Sequence, residues 1–205
     1  MAEQITQAKP KNNGQKQIFD NPFLERLTRT HISIPLTLFF GIAGGVVYYG
    51  INNEYITSLQ VIVTFVIGLL TFSWIEYMAH RHLFHMITNT TFKKNIQYKF
   101  HGVHHEYPKD KMRLAMPPLV SIVLTILLFG LFKLVMGNYV FGFLPGFLVG
   151  YAAYLGVHYA VHAFRPPANF LKVLWVHHGI HHYKHNDRAF GVSSPLWDYI
   201  YRTMP

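Results

Sequence analysis

Four stretches of this 205-residue chain carry no Asp, Glu, Lys or Arg: residues 32–53, 55–75, 114–132 and about 139–164. Nothing else in the sequence limits the fold as much. At about 1.5 Å per residue, each run is long enough to cross roughly 30 Å of hydrocarbon as a helix. Pro145 and several glycines in the fourth run are residues that membrane helices tolerate. Packed as the core of a soluble protein, four such runs would leave too little polar chain to cover them. Composition agrees, with 51% hydrophobic and only 13% charged residues, where a soluble domain carries about a quarter charged. The length is that of one domain, and intrinsic disorder of the whole is excluded. The fold class expected is all-α, an integral membrane protein with four transmembrane helices.

Charge sets the expected orientation. Of 18 Lys and Arg, five precede the first run, seven lie between Arg81 and Arg113, and five lie between Arg165 and Arg202, leaving Lys133 as the one exception. The positive-inside rule then puts both termini and the loop 76–116 in the cytoplasm. The membrane would be the cell membrane in a bacterium and the endoplasmic reticulum in a eukaryote. The net charge of +9 is explained by cytoplasmic retention beside anionic lipid heads, and no alternation of basic and aromatic residues argues for nucleic acid. Residues 1–18 read as a disordered cytoplasmic tail, residues 19–205 as one membrane domain, and no cleavable signal peptide is evident.

The absence of cysteine excludes disulfides, thiolate metal sites and cysteine nucleophiles. Histidine is in excess, and 13 of the 14 fall between His80 and His185. They form four boxes: His80 with His85; His101, His104 and His105; His158 with His162; and His178, His181 and His182. Spacings of three and four put each triad, and the His158/His162 pair, on one helix face. His80 and His85 share a face only if the second run ends or distorts near Arg81. All four boxes fall at the expected cytoplasmic side, so they can meet there as a helical cap. Convergent neutral imidazoles suit iron, copper, nickel and zinc. Ten ligands fit two ions with four or five nitrogens each and positions left open for an oxygen species.

His31, His82, His177 and His185 stand outside this spacing and read as interfacial residues or as donors behind the ligands. Glu76, four residues before His80, reads either as the partner of a ligand's far nitrogen or as a polar residue at the membrane boundary. Asp187 and Asp198 are weaker candidates of the same kind. No carboxylate repeats the Glu-x-x-His pattern of soluble di-iron bundles.

The boxes, with Asn21–Pro22–Phe23–Leu24–Glu25, HGVHHEYPKDKMRLAMPP from His101, HYAVH from His158 and HHYKHNDRAFGVSSPLWDYIYRT from His181, resemble the membrane fatty acid hydroxylase and sterol desaturase superfamily. Within it they look most like the fatty acid 2-hydroxylase branch. The resemblance extends from Asn21 onward and makes 19–205 a membrane fatty acid hydroxylase domain. It implies His80, His85, His101, His104, His105, His158, His162, His178, His181 and His182 as ligands of a di-iron centre. Members often have an acidic residue three before the first histidine of the third box, where this chain has Leu155. Eukaryotic relatives commonly carry a fused cytochrome b5 domain, for which this chain lacks the length. A separate cytochrome b5-like or ferredoxin-like donor is therefore expected.

The activity so implied is 2-hydroxylation of a fatty acid, or of the acyl chain of a lipid such as a sphingolipid, with O2 and two iron ions that zinc can replace in purified protein. A lipid whose polar end lies at the interface would bring its first carbons to the metal. Tyr151 and Tyr154, two turns and one turn before His158, are candidate substrate neighbours, weighed against ordinary aromatic packing. Two other readings compete. A sterol or carotenoid oxidase is disfavoured by the RLAMPP and FGVSSPLWD segments. A metal transporter would carry ionisable groups near mid-membrane, where the second and third runs have none.

Overall fold

The computed structural model describes residues 10–205, and among them every regular element is helical. The order is α1 (Pro22–Leu27), α2 (Ser33–Asn52), α3 (Ser58–Ala79) running into a π-helical turn (His80–Phe84), and α4 (Thr91–Gln97). There follow a second π-helical turn (Tyr98–Gly102), α5 (Val103–Glu106), a short 3₁₀ turn (Lys111–Arg113), α6 (Pro118–Met136), α7 (Val140–Ala163), α8 (Lys172–Tyr183) and α9 (Leu196–Ile200). All four apolar runs are helical. Two of their starts carry local signals: Thr57 and Gln60 form a capping box on α3, and Pro118 opens α6 where no donor is needed.

Three helical stretches are long and apolar enough to cross a membrane: Ser33–Asn52, Ser58–Phe84 and Lys111–Ala163. The last is 53 residues long and contains α6 and α7. Gly137, at φ +59, separates these two helices, a backbone conformation open to glycine at little cost. Phe132 of α6 then packs edge-on against Phe143 of α7, with ring centres 4.9 Å apart. Ile62, Val66 and Leu70 on α3 and Ile126, Leu127 and Leu134 on α6 face outward and are more than half exposed or close to it. Apolar surface of that extent is not left to water; lipid covers it, and the chain is a membrane protein.

The core is a seam between α3 and α7, the most extensive helix pair, with α2 packed alongside. A Cβ on Gly146 would stand 2.0 Å from the Phe65 carbonyl oxygen, and one on Gly68 2.1 Å from that of Phe143. Small residues thus bring the two backbones into contact, the device by which helices adhere without a hydrophobic driving force. Phe39, Phe141, Leu144, Leu148 and Leu155 fill the space around the seam. Lys133, the one stray basic residue, lies over the rings of Phe141 and Tyr55 at the bundle end away from the histidines, 5.0 and 5.8 Å from their centres.

Of the tail expected to be disordered, residues 1–9 lie outside the described residues. Residues 10–18 carry no regular element. The Lys11 N–H donates to the Glu106 carbonyl at 2.7 Å, and the Lys11 ammonium meets the Glu106 carboxylate at 2.7 Å. Tyr183 donates to Asn12 at 2.8 Å, so this stretch lies across the layer that holds the second and fourth boxes.

Candidate metal centre

The histidine end of the bundle is built where α3 and α7 run out of apolar sequence. On an uninterrupted α-helix His80 and His85 would point about 140° apart. The π-helical turn resolves this: the His85 N–H bonds to the His80 carbonyl at 3.1 Å, five residues back, and both rings face inward. The distortion that the spacing requires near Arg81 is therefore a π turn, an irregularity common at functional sites. A second one, Tyr98–Gly102, opens the box of His101, His104 and His105.

The ten box histidines gather into two groups of five, whose ligand nitrogens lie within 4.8 Å of one another. One group is His80, His85, His101, His105 and His181; the other is His104, His158, His162, His178 and His182. Each triad is thus divided: His101 and His105 belong to one group and His104 to the other, and His181 parts from His178 and His182. Residues that share a helix face fan out around the axis enough to serve two neighbouring points.

The nitrogens that meet are Nε2 atoms. His101 faces both His80 and His105 at 3.0 Å. His104 faces His158 at 2.9 Å and His182 at 3.1 Å. His181 faces His85 at 3.0 Å, and His162 faces His178 at 2.8 Å. A neutral imidazole has a single N–H, so ordinary hydrogen bonds cannot satisfy an Nε2 cluster of this density. Nitrogens bound about 2.1 Å from one ion at right angles stand about 3.0 Å apart, which is the separation found. The donor set fits a divalent transition metal in each group.

Protonation would defeat such a cluster, and the surroundings oppose it. Burial, then the nearby imidazoles, pushes His101, His104, His105, His178, His181 and His182 well below the ordinary histidine range. Burial and His181 push His85 down to about 3. Neutral imidazole is the ligating form.

The far nitrogens distinguish the groups. His80 Nδ1 meets the Phe190 carbonyl at 2.5 Å and His181 Nδ1 the Arg188 carbonyl at 2.8 Å. In the other group, Nδ1 of His158, His178 and His182 is buried without a hydrogen-bond partner, as is Nδ1 of His105 alone in the first. A cavity of about 610 Å³ opens beside His85 and His105, walled in part by Arg81, Gln97, Tyr98, Asp187 and Phe190.

The remaining candidates fall elsewhere. Glu76 bonds to no imidazole; it accepts the Val192 and Ser193 N–H groups at 2.9 Å each and the Ser193 hydroxyl. His177 stands outside both groups and pairs with Asp198 at 3.0 Å. Burial works against that carboxylate, yet hydrogen bonds from His177, Thr203, Gly191 and Phe190 hold it below its ordinary range. His31 bonds to Ser33 and is exposed, His82 and Asp187 are exposed on the cavity wall, and His185 is exposed. Tyr151 and Tyr154 stack on each other at 6.0 Å, Tyr154 stacks on His158 at 5.4 Å, and Phe72 and Phe39 flank Tyr151. Leu155 is 1% exposed in the apolar core. Sequence reasoning missed the carbonyls of Arg188 and Phe190, because every residue carries a carbonyl and no residue type marks the ones that matter.

A fatty acid hydroxylase family model matches residues 65–203. The chain is 32% identical to the dihydroceramide fatty acyl 2-hydroxylase of Arabidopsis thaliana, over 92% of this chain and 80% of that protein. It is 35% identical to the ceramide very long chain fatty acid hydroxylase of Schizosaccharomyces pombe, over 94% of this chain and 56% of that one. With the fatty acid 2-hydroxylase of Rattus norvegicus it shares 35% identity over 68% of this chain and 39% of the other. The chain thus spans little more than half of the yeast protein and less than half of the rat one. Its fold matches the hydroxylase domain visible in the structure of full-length scs7p, with a TM-score of 0.82 and 30% identity, covering 91% of this chain and 71% of that one. Histidine spacing, fold and sequence similarity converge on one conclusion: the chain belongs to the fatty acid hydroxylase family.

Proposed function

We propose that this chain is a membrane di-iron oxygenase that hydroxylates C2 of a fatty acid, or of the acyl chain of a lipid such as a sphingolipid. It would use O2 and electrons from a separate cytochrome b5-like or ferredoxin-like donor. The observation that carries this reading is the convergence of ten imidazoles in two groups of five, in a chain whose relatives are named as 2-hydroxylases. His80, His85, His101, His105 and His181 would hold one iron, and His104, His158, His162, His178 and His182 the other. When bound, the iron pair supplies the oxygen chemistry that breaks an unactivated C–H bond.

The chain's own residues do the rest. Neutral histidines keep the ligand set intact at physiological pH, and the packed helices shield it from bulk water except at the cavity beside His85 and His105. Tyr151 and Tyr154 form an aromatic column from the bundle interior to His158, a wall along which an acyl chain can lie. We take α6 and α7 as separate spans, which makes four, and the basic residues beside the histidine boxes as marking the cytoplasmic side, with both termini there. A lipid whose polar head stays at that interface reaches the histidine layer with its first carbons, the ones next to the carboxyl or amide.

The test is lipid analysis of a host expressing the chain and of the same host without it. Acyl chains bearing a 2-hydroxyl should appear only with the chain, and should be lost in His105→Ala. Hydroxylation at another carbon, or on a sterol, would overturn the reading.

A further inference from the structure

We infer that Glu76 and Asp198 are positioning residues for the His80 group, acting through the backbone of residues 188–193, and that the two metal positions are consequently held unequally. The inference rests on the reading of the ten histidines as metal ligands, and adds to it a division of labour between the two groups.

Residues 188–193, in the connection from α8 to α9, have no regular structure, yet every backbone N–H of the stretch is hydrogen-bonded. Glu76, at the end of α3 and 7% exposed, accepts from the Val192 and Ser193 N–H groups at 2.9 Å and from the Ser193 hydroxyl. Asp198, in α9 and fully buried, accepts the Phe190 N–H at 2.9 Å on one oxygen and the Gly191 N–H at 2.7 Å on the other. Thr203 and His177 complete its coordination at 2.7 and 3.0 Å. The Ala189 N–H is taken by the Thr203 carbonyl at 2.9 Å.

Two local features accompany this anchoring. Ala189 sits at φ +56, a left-handed conformation that an alanine keeps only where its surroundings over-determine it. At Gly191 a Cβ would stand 2.2 Å from the Ser194 carbonyl oxygen, so a side chain is excluded there. The residues on either side of Ala189 present their carbonyls to the histidine layer. Arg188 receives His181 Nδ1 at 2.8 Å and Phe190 receives His80 Nδ1 at 2.5 Å.

Two imidazoles from different helices, both in the His80 group, are therefore oriented by one loop that two carboxylates hold. A carbonyl on Nδ1–H fixes the tautomer with Nε2 free to ligate, sets the ring plane and raises the nitrogen's basicity. Three such nitrogens, of His158, His178 and His182, are buried without a partner in the His104 group, against one, that of His105, in the His80 group. Both oxygens of Glu76 and of Asp198 are spent on the loop and its neighbours, so these carboxylates act through the histidines and do not ligate.

The experiment is metal content and chelator-driven metal release, measured on the purified full-length protein in detergent after loading with zinc. The unsubstituted protein should hold two zinc ions per chain. In Glu76→Leu, one of the two should be released 10- to 100-fold faster, the range for loss of an outer hydrogen bond to a ligand, while the other keeps its rate. Glu76→Gln retains an oxygen for the two backbone N–H groups and should restore the slow release. Asp198→Asn turns an amide N–H₂ toward groups that are themselves donors and should behave like Glu76→Leu. Should Glu76→Leu fail to elute as a folded species, Ser193→Ala, which removes a single hydroxyl, decides the matter by a smaller acceleration of the same one ion. Unchanged release in Ser193→Ala and Asp198→Asn, or equal acceleration of both ions, overturns the inference. Fewer than one zinc per chain in the unsubstituted protein would instead bring down the metal reading on which it rests.

Discussion

The glycine seam of the apolar helices and the histidine layer above it are held together by opposite means. Between α3 and α7 the backbones touch because Gly68 and Gly146 leave no side chain in the way, and adhesion comes from shape and dispersion. In the layer, ten nitrogens point at one another across about 3 Å, an arrangement that disfavours itself unless a cation sits among them or protons are shared. The seam is complete within the chain, while the layer is one that a cation would complete. One region should thus answer to volume and the other to metal and protons.

Breaking the seam should cost the folded protein itself. Gly146→Val drives a branched side chain into the Phe65 backbone, which cannot rotate away, and should cost about 3 kcal/mol or more. Size-exclusion chromatography in detergent should show little folded protein with or without metal. Gly156→Ala, on the same helix with nothing within 4 Å of a Cβ, should leave the elution profile and Tm unchanged. Equal damage from both would mean that α3 and α7 do not meet through this seam.

Metal removal should separate the regions in the other direction. At free metal about 1,000 times Kd, each bound ion adds about 4.1 kcal/mol to stability, so chelation should lower the Tm sharply. The far-ultraviolet circular dichroism at 25 °C should persist, because the bundle needs no ion. In the chelated protein, acid should then act on the layer. The folded state holds its histidines neutral, with His85 at about 3, while the unfolded chain protonates near the ordinary value of about 6.5. The unfolded state binds more protons below that value, so stability should be full above about pH 6.5 and fall progressively toward pH 3. A Tm independent of pH over this window would refute the account of the layer.

A finer test lies inside one triad. His101→Ala and His104→Ala should each abolish product while the protein still inserts, yet they belong to different groups and should remove different ions. His31→Ala and His185→Ala, both exposed, should leave measurable product. Full activity in His101→Ala would break the division of the triad.

The smallest expected effect is at the boundary between the two regions. Tyr154→Phe keeps the ring stacked on His158, so the Tm should not move, and product should fall only several-fold if the column serves as a wall. A complete loss of product would show that the hydroxyl itself touches the substrate or the reacting atoms.

Much of this was legible from residues alone because the physics is local. Runs without charge have to be helical where no water can satisfy the backbone, and the helices begin and end close to where those runs do. Spacings of three and four mark faces that a helix presents together, and His-x-x-His-His occurring twice marks the layer. His80 and His85 showed by their spacing of five that something had to give, and the structure identifies it as a π turn.

What the tertiary structure alone decided is how the ten histidines divide, and what stands behind them. One helix face does not tell which of two neighbouring points a ring will reach, since that depends on where the other helices deliver theirs. His104 goes to the group of His158 and not to that of its neighbour His105 for this reason. Glu76 and Asp198 looked like partners of ligating histidines, but their hydrogen bonds go to a loop more than 110 residues from the one carboxylate and fewer than ten from the other. The carbonyls that loop presents have no signature in sequence, because a backbone oxygen is the same at every residue and only the path of the chain gives it a role.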